Sequence, residues 1–268
     1  MIESPEGTIY CVGPQHLLRV FMKTILITGC SSGFGLETAK YFLEREWKVV
    51  ATMRAPRENL LPRSEHLRVL QLDVTAPASI QAAIEGAGPI DALVNNAGVG
   101  AAAPVESAPM EMIRNIFEIN TFGTMTVTQA VLPQFRQRKA GVVVNVSSSV
   151  TLRAIPLIAA YSASKAAVNA FTESLALELE PFGVRVRLVL PGRAPETQFA
   201  DNGRSRMQGL DHPAYGGLVE GFIAGIAESG PITHARDVAE AVWRAVTDPL
   251  SPERIPAGAD AVGLSKVH

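Results

Sequence analysis

Six short apolar runs rich in β-branched residues punctuate the chain at 23–28, 47–52, 67–72, 90–94, 142–146 and 184–190. Stretches with apolar residues at helical spacing lie among them, at 34–46, around 80–84, at about 109–137 and at 160–179. Parallel strands need long crossovers, and helices are the usual ones, so this pattern predicts an α/β fold. The expected architecture is a doubly wound, mostly parallel sheet flanked by helices on both faces. In such a sheet a ligand sits beyond the carboxyl ends of the strands, where the strand order reverses. The polar and glycine-rich motifs of this chain fall at those ends or open the helix that follows.

After residue 191 the pattern breaks. Residues 192–230 are rich in Gly, Pro and Met with scattered aromatics (Phe199, Tyr215, Phe222), and they read as a substrate loop with short helices. A helix returns at 237–247, with Val238, Ala241, Val242 and Val246 on one face. Residues 22–268 are expected to form a single domain. Residues 1–21 carry acids, Pro and Gly and lack the basic start and apolar centre of a secretory signal, so they read as an extension outside the core.

Hydrophobic residues make up 47% of the 268, enough for a sizeable core, and no apolar run reaches the roughly 18 residues of a membrane span. A net charge of -2 without a Lys/Arg-rich run argues against a nucleic-acid partner. Two cysteines, Cys11 and Cys30, give neither a disulfide framework nor zinc-ligand spacing, so no metal is expected and a reducing cytoplasmic compartment fits.

The segment TGCSSGFG (28–35) follows the first strand and opens the first helix. Glycines suit such a turn because a Cβ would hinder its conformation or the backbone's approach to a pyrophosphate. The helix N-terminus offers N–H groups and a positive dipole end. The spacing is G-x-x-x-G-x-G, and its place between strand and helix points to a dinucleotide. NAD-specific sites carry an acid near the end of the second strand. Here that end reads Thr52-Met53-Arg54. Arg54 suits a 2′-phosphate, with Ser32 able to bond it from the turn, which favours NADP over NAD. A solvated arginine is the alternative. Asp73, after the third strand, suits an adenine amino contact or a turn.

Tyr161 and Lys165 stand four apart in the long helix and therefore share a face. An unperturbed tyrosine stays protonated at neutral pH, and a nearby ammonium would favour its phenolate. Three serines, Ser147 to Ser149, end the preceding strand.

Taken together, TGCSSGFG (28–35), LDV (72–74), NNAG (95–98), Asn120, VNVSSS (144–149), YSASK (161–165) and PG (191–192) resemble the motifs of the classical short-chain dehydrogenase/reductase family. The resemblance runs from Met22 into the C-terminal region and implies a Rossmann-type fold. It also implies a catalytic tetrad of Asn120, Ser148, Tyr161 and Lys165. In that scheme Tyr161 exchanges a proton with the substrate oxygen and Ser148 bonds the same oxygen. Lys165 holds the nicotinamide ribose and favours the ionised tyrosine, while Asn120 interrupts its helix and holds a water. The cofactor contacts implied are Gly29, Ser31, Ser32, Gly33, Phe34, Gly35, Arg54, Asp73, Val74, Asn96, Ala97, Gly98, Tyr161, Lys165, Pro191 and Gly192. Asn95 reads as a tie between strand ends, and Ser147 and Ser149 as structural. The five histidines match none of these motifs.

One departure stands out. The family places a Thr five residues after the proline of the PG pair, whereas here Thr197 comes one place later. Arg193 and Glu196 are then expected near the substrate entrance. The expected activity is hydride exchange between NADP(H) and a small carbonyl or alcohol. A cofactor sensor without turnover is the alternative, and a dehydratase or epimerase would call for a larger C-terminal domain. By the resemblance, the helices at 110–137 and 160–179 pair in a homodimer or homotetramer.

Overall fold

The computed structural model describes residues 22–198, 203, 206–227 and 230–266, and a two-residue antiparallel ribbon pairing Ile2–Glu3 with Ile9–Tyr10. Cys11, His16, Phe199, His268 and the rest of the expected N-terminal extension lie outside the described residues. The ribbon belongs to a separate sheet from the one that forms the core.

That core sheet has seven strands: β1 (Thr24–Ile27), β2 (Lys48–Met53), β3 (Leu67–Gln71), β4 (Ala92–Asn95), β5 (Gly141–Val146), β6 (Val184–Pro191) and β7 (Arg254–Ala257). Their spatial order is β3-β2-β1-β4-β5-β6-β7, and every neighbouring pair is parallel. The chain winds outward in one direction from β1 to β3, then in the other from β4 to β7. The order reverses between β1 and β4, which places the ligand crevice there.

Successive side chains of a strand point to opposite faces, and both faces are buried here, so the strands read as continuous apolar runs. On one face Ile25, Ile27, Val49 and Val144 pack with Phe42 of α1 (Gly33–Leu43) and Val242 of α7 (Ala235–Thr247). On the other, Leu26, Val50, Leu93 and Val143 meet Ile80 of α2 (Pro77–Ala87), Val131 of α4 (Gly123–Arg138) and Leu175 of α5 (Ala159–Leu179). Two further helices, α6 (Gly216–Ala227) and α8 (Ala259–Ser265), belong to the C-terminal third.

The six expected strands are present, with ends shifted by one or two residues. The seventh was not legible. β7 is four residues long and contains Pro256, which the outermost strand tolerates because proline can give no ladder hydrogen bond. The helix expected over 109–137 is two helices, α3 (Met110–Phe117) and α4, joined by a π-helical turn at Glu118–Phe122. Apolar spacing hardly changes across one wide turn, so periodicity could not reveal it.

Candidate active site

The carboxyl ends of β1 to β6 open onto one cleft of about 1110 Å³. That exceeds the roughly 300–1,000 Å³ of common ligand pockets, as an extended cofactor beside a substrate would require.

The glycine turn forms one wall. Gly29 and Gly33 have φ of +75° and +56°, a region that disfavours side chains. A Cβ on Gly29 would also lie 2.9 Å from Ala97 Cα. Ser32 is the extended N-cap of α1 but makes no side-chain cap, and the first turn holds no acid. The first N–H groups of α1 therefore have neither a capping oxygen nor a competing negative charge, which suits a phosphate. Gly35 brings helix and turn together. It is buried, and a Cβ there would sit 2.4 Å from both Asn96 Nδ2 and the Gly29 oxygen. The lack of a Cβ lets the helix pack against the turn.

Thr28 was not singled out, yet it fastens this wall to the next. Its hydroxyl oxygen accepts from the N–H groups of Asn96 and Ala97, each at 3.0 Å. Asn96 Nδ2 donates back to the carbonyl oxygens of Thr28 (2.9 Å) and Gly29 (3.2 Å). Asn95 points the other way and bonds Thr128 and Asn145, the strand tie expected of it.

Beyond β2, Arg54 is exposed at the cleft, as are Ser31, Phe34 and Val74 along its lining at least in part. A second guanidinium, missed in the sequence, stands at the same end: Arg57 Nη2 donates to the Ser31 carbonyl at 3.0 Å. Asp73 forms the turn that was one of its two readings. Its carboxylate accepts from the Thr75 N–H (2.9 Å) and hydroxyl (2.7 Å) in a turn, and it also lines the cleft. The Thr75 N–H, more than the field of Arg54, holds that carboxyl below its usual range.

The tetrad residues gather at the inner end. The π-helical turn aims Asn120 at the loop after β4, where Oδ1 accepts from Val99 N–H (2.8 Å) and Nδ2 donates to Val99 O (2.9 Å) and Ser164 Oγ (3.1 Å). Asn120 does not line the cleft itself. Gly98 lies against it: a Cβ there would be 3.2 Å from Asn120 Oδ1 and 3.3 Å from Lys165 Nζ. Lys165 Nζ donates to Val146 O at 3.0 Å, and burial lowers its pKa to about 8. Tyr161 and Ser148 hydrogen-bond through their side chains. Burial raises the Tyr161 pKa to about 12, while the Ser148 bond pulls the other way. Within the chain itself desolvation dominates; the phenolate was expected from the ammonium together with the positive nicotinamide of an oxidised cofactor. Ser147 donates to Asn169 Oδ1 at 2.6 Å, a structural link as expected.

The end of β6 closes the floor. Gly192 N–H donates to Thr233 Oγ1 (2.9 Å) and Arg193 N–H to Asp260 Oδ2 (2.6 Å). A Cβ on Gly192 would meet Asp260 Oδ2 at 2.1 Å. Neither Thr233 nor Asp260 was singled out, since nothing local ties them to a PG pair so far upstream. Thr197 hydroxyl returns to Ala194 O at 2.9 Å, and its Cβ lies 3.5 Å from where a Gly33 Cβ would be. The displaced threonine thus borders the glycine turn. Arg193 lines the cleft, but Glu196 pairs instead with His234, with Oε2 and Nδ1 2.9 Å apart. Among the described residues no cluster of His, Cys, Asp and Glu could hold a metal.

The outer wall comes from the expected substrate loop. Met207 forms a backbone bridge with Ala102, and Leu218 and Phe222 of α6 line the cleft. Tyr215 turns away to donate to Glu106 Oε2 at 2.7 Å.

Residues 23–208 match the family described as short chain dehydrogenase. A 3-ketodihydrosphingosine reductase of Bacteroides thetaiotaomicron is 41% identical over 66% of this chain and 66% of its own. Retinol dehydrogenase 8 of Bos taurus is 39% identical over 63% of this chain and 58% of its own, so the match spans less than two thirds of either relative. Among solved structures, a short-chain dehydrogenase from Streptomyces avermitilis superposes with a TM-score of 0.78 at 31% identity, covering 92% of each chain. A short chain dehydrogenase from Burkholderia cenocepacia in complex with NADP gives 0.73 at 27%, covering 91% of this chain and 92% of its own. A 3-ketoacyl-(acyl-carrier-protein) reductase from Brucella melitensis complexed with NADH gives 0.73 at 26%, covering 87% and 96%.

Proposed function

This chain belongs to the short-chain dehydrogenase family, and on that premise we propose an oxidoreductase that prefers NADP(H) and acts on a small carbonyl or alcohol. The observation that carries the reading is convergence. The Tyr161–Ser148 hydroxyl pair and the Lys165 ammonium line the same cleft as the uncapped N-terminus of α1. The dinucleotide, when bound, supplies hydride chemistry that no side chain can provide. Glycines 29, 33 and 98 leave room for it, and the first N–H groups of α1 take its phosphates. Arg54, with Arg57 beside it, reads the 2′-phosphate.

Within this chain Tyr161 is the acid in reduction, giving its proton to the carbonyl oxygen, and the base in oxidation. Its raised pKa keeps that proton in place at neutral pH. Ser148 donates a hydrogen bond to the same oxygen and fixes its position. Lys165 would hold the nicotinamide ribose with its ammonium, and Asn120 keeps the Val99 loop and Gly98 in place beside it.

The test is NADPH consumption across a panel of ketones and aldehydes, with wild type and Tyr161→Phe side by side. Turnover lost in the variant with NADPH affinity kept supports the reading. NADPH binding by wild type with no turnover on any member favours a cofactor sensor.

The protein works as a homodimer or homotetramer. Leu177 on α5 is 73% exposed and Phe122 at the head of α4 is 49% exposed, faces that association would cover. Light scattering that shows a monomer at micromolar concentration would oppose this. Among the described residues no helix is long and apolar enough to cross a membrane. A cytoplasmic setting accords with the buried free thiol of Cys30, whose pKa burial raises to about 12.

A further inference from the structure

The proposed reductase site continues outward into an apolar groove. Building on that reading, we infer that its substrate is an elongated apolar carbonyl compound whose tail lies between α6 and the 150–158 segment, with Gly221 setting the room it has.

The groove starts at the catalytic tyrosine. Tyr161 packs in one cluster with Ala102 and Ile158, and Val150, Ile155, Met207 and Phe222 lean on that cluster while remaining partly open. All of these line the cleft. Apolar surface therefore runs without interruption from the acid/base group to the first turns of α6. Of the charged side chains at this end, Arg153 lies exposed, Arg206 Nε donates to Asn115 Oδ1 at 3.4 Å, and Arg193 lines the cleft with its backbone N–H held by Asp260.

The composition of α6 sharpens the inference. Its sequence GGLVEGFIAGIA holds a single charge, Glu220, and a helix apolar on every side is normally buried. Here Leu218 is 49% exposed and Ile223 58% exposed. Gly217, Gly221 and Gly225 recur every four residues and so share one face. All three line the cleft. Glycine is a poor helix former, and its usual justifications are a left-handed φ or a neighbour too close for a Cβ. Neither holds. None of the three has a positive φ, and a Cβ on any of them would meet nothing within 4 Å. What the missing side chains leave is open volume facing the tyrosine cluster. From Gly217 to Gly225 that trough is about 12 Å long, at the rise of an α-helix. A flexible apolar chain fills such a space and covers Leu218 and Phe222; a short polar carbonyl compound covers neither.

The experiment is a series of methyl ketones from butanone to decanone, assayed with NADPH on wild type, Gly221→Ala and Gly221→Leu. Each variant improves helix propensity at an open position, so folding is not at stake, and NADPH affinity serves as the control. For wild type kcat/KM should rise with length, by up to about fourfold for each methylene that becomes buried. The ratio of decanone to butanone kcat/KM should fall at least tenfold in Gly221→Leu and less in Gly221→Ala. A flat length series, or a ratio unmoved by Gly221→Leu, overturns the inference. Calorimetric titration of decanone into the NADPH-loaded protein separates this from the reductase reading. Binding that Gly221→Leu abolishes upholds the groove even without turnover, in which case the catalytic reading alone fails. No decanone binding overturns the groove.

Discussion

Lys165 places its ammonium 3.0 Å from the carbonyl oxygen of Val146, buried where β5 ends and one turn of α5 below Tyr161. A single carbonyl dipole compensates a buried charge only in part, and the Lys165 pKa falls from 10.5 to about 8. The group is held there at a cost to the fold, as functional cations often are.

Lys165→Met tests that cost. In the unfolded chain the lysine binds its proton more tightly, so the penalty is full below pH 8 and gone above 10.5. A lowering of this size corresponds to about 3 kcal/mol, offset by about 1 kcal/mol for the lost hydrogen bond. At pH 7 the variant should melt no lower than wild type, while binding NADPH more weakly. Thermal scans across that interval should show the variant's advantage shrinking as pH rises. A large loss of Tm at pH 7 would mean that the lysine is a structural support.

Tyr161 predicts different pH profiles for the two directions. With the pKa raised to about 12, the phenol is protonated throughout the physiological range and ready for reduction. Alcohol oxidation needs the phenolate, so its kcat/KM should climb with pH, by up to about tenfold per unit, while reduction does not. Tyr161→Phe should lower kcat by roughly 10²–10⁴-fold. Retained turnover would remove Tyr161 from the acid/base role.

Arg54→Ala should separate the two cofactors. Losing a charge-assisted contact to a 2′-phosphate costs about 1.5–3 kcal/mol, so kcat/KM for NADPH should fall about 10- to 100-fold with little change for NADH. Arg57→Ala should give a smaller effect of the same sign, because part of that guanidinium is committed to Ser31. Equal losses with both cofactors would show that these arginines do not read the phosphate.

Much of this was legible in the sequence because the relevant signals are local. Strand runs, the glycine turn and the four-residue spacing of Tyr161 and Lys165 each fit within a few residues. What escaped depends on distance or on small changes of geometry. Arg57 matters only because the β2 end folds beside Ser31. Asp260 meets the Gly192–Arg193 backbone from beyond α6, α7 and β7, so no spacing announces it. The π-helical turn that aims Asn120 leaves apolar periodicity almost untouched. The G-x-x-x-G-x-x-x-G spacing of α6 was visible, but its meaning depends on the cleft it faces. The motif marks Gly35 as a cofactor contact, but the close approach of helix to turn at that residue needs the fold to be seen.

Gly35→Ala tests that steric role. The added methyl would overlap Asn96 Nδ2 and the Gly29 oxygen, each 2.4 Å away, forcing the turn from the β4 loop. Overpacking of this kind costs about 1–3 kcal/mol. A lowered Tm together with lost NADPH binding is expected. An unchanged Tm would show that helix and turn have slack there.

Fluorescence titration of the purified protein with NADPH and, separately, NADH tests the central claim most directly. The account predicts saturable NADPH binding at least tenfold tighter than that of NADH. Tighter NADH binding would contradict the role of Arg54 and leave the fold standing. A folded protein that binds neither would contradict the oxidoreductase itself.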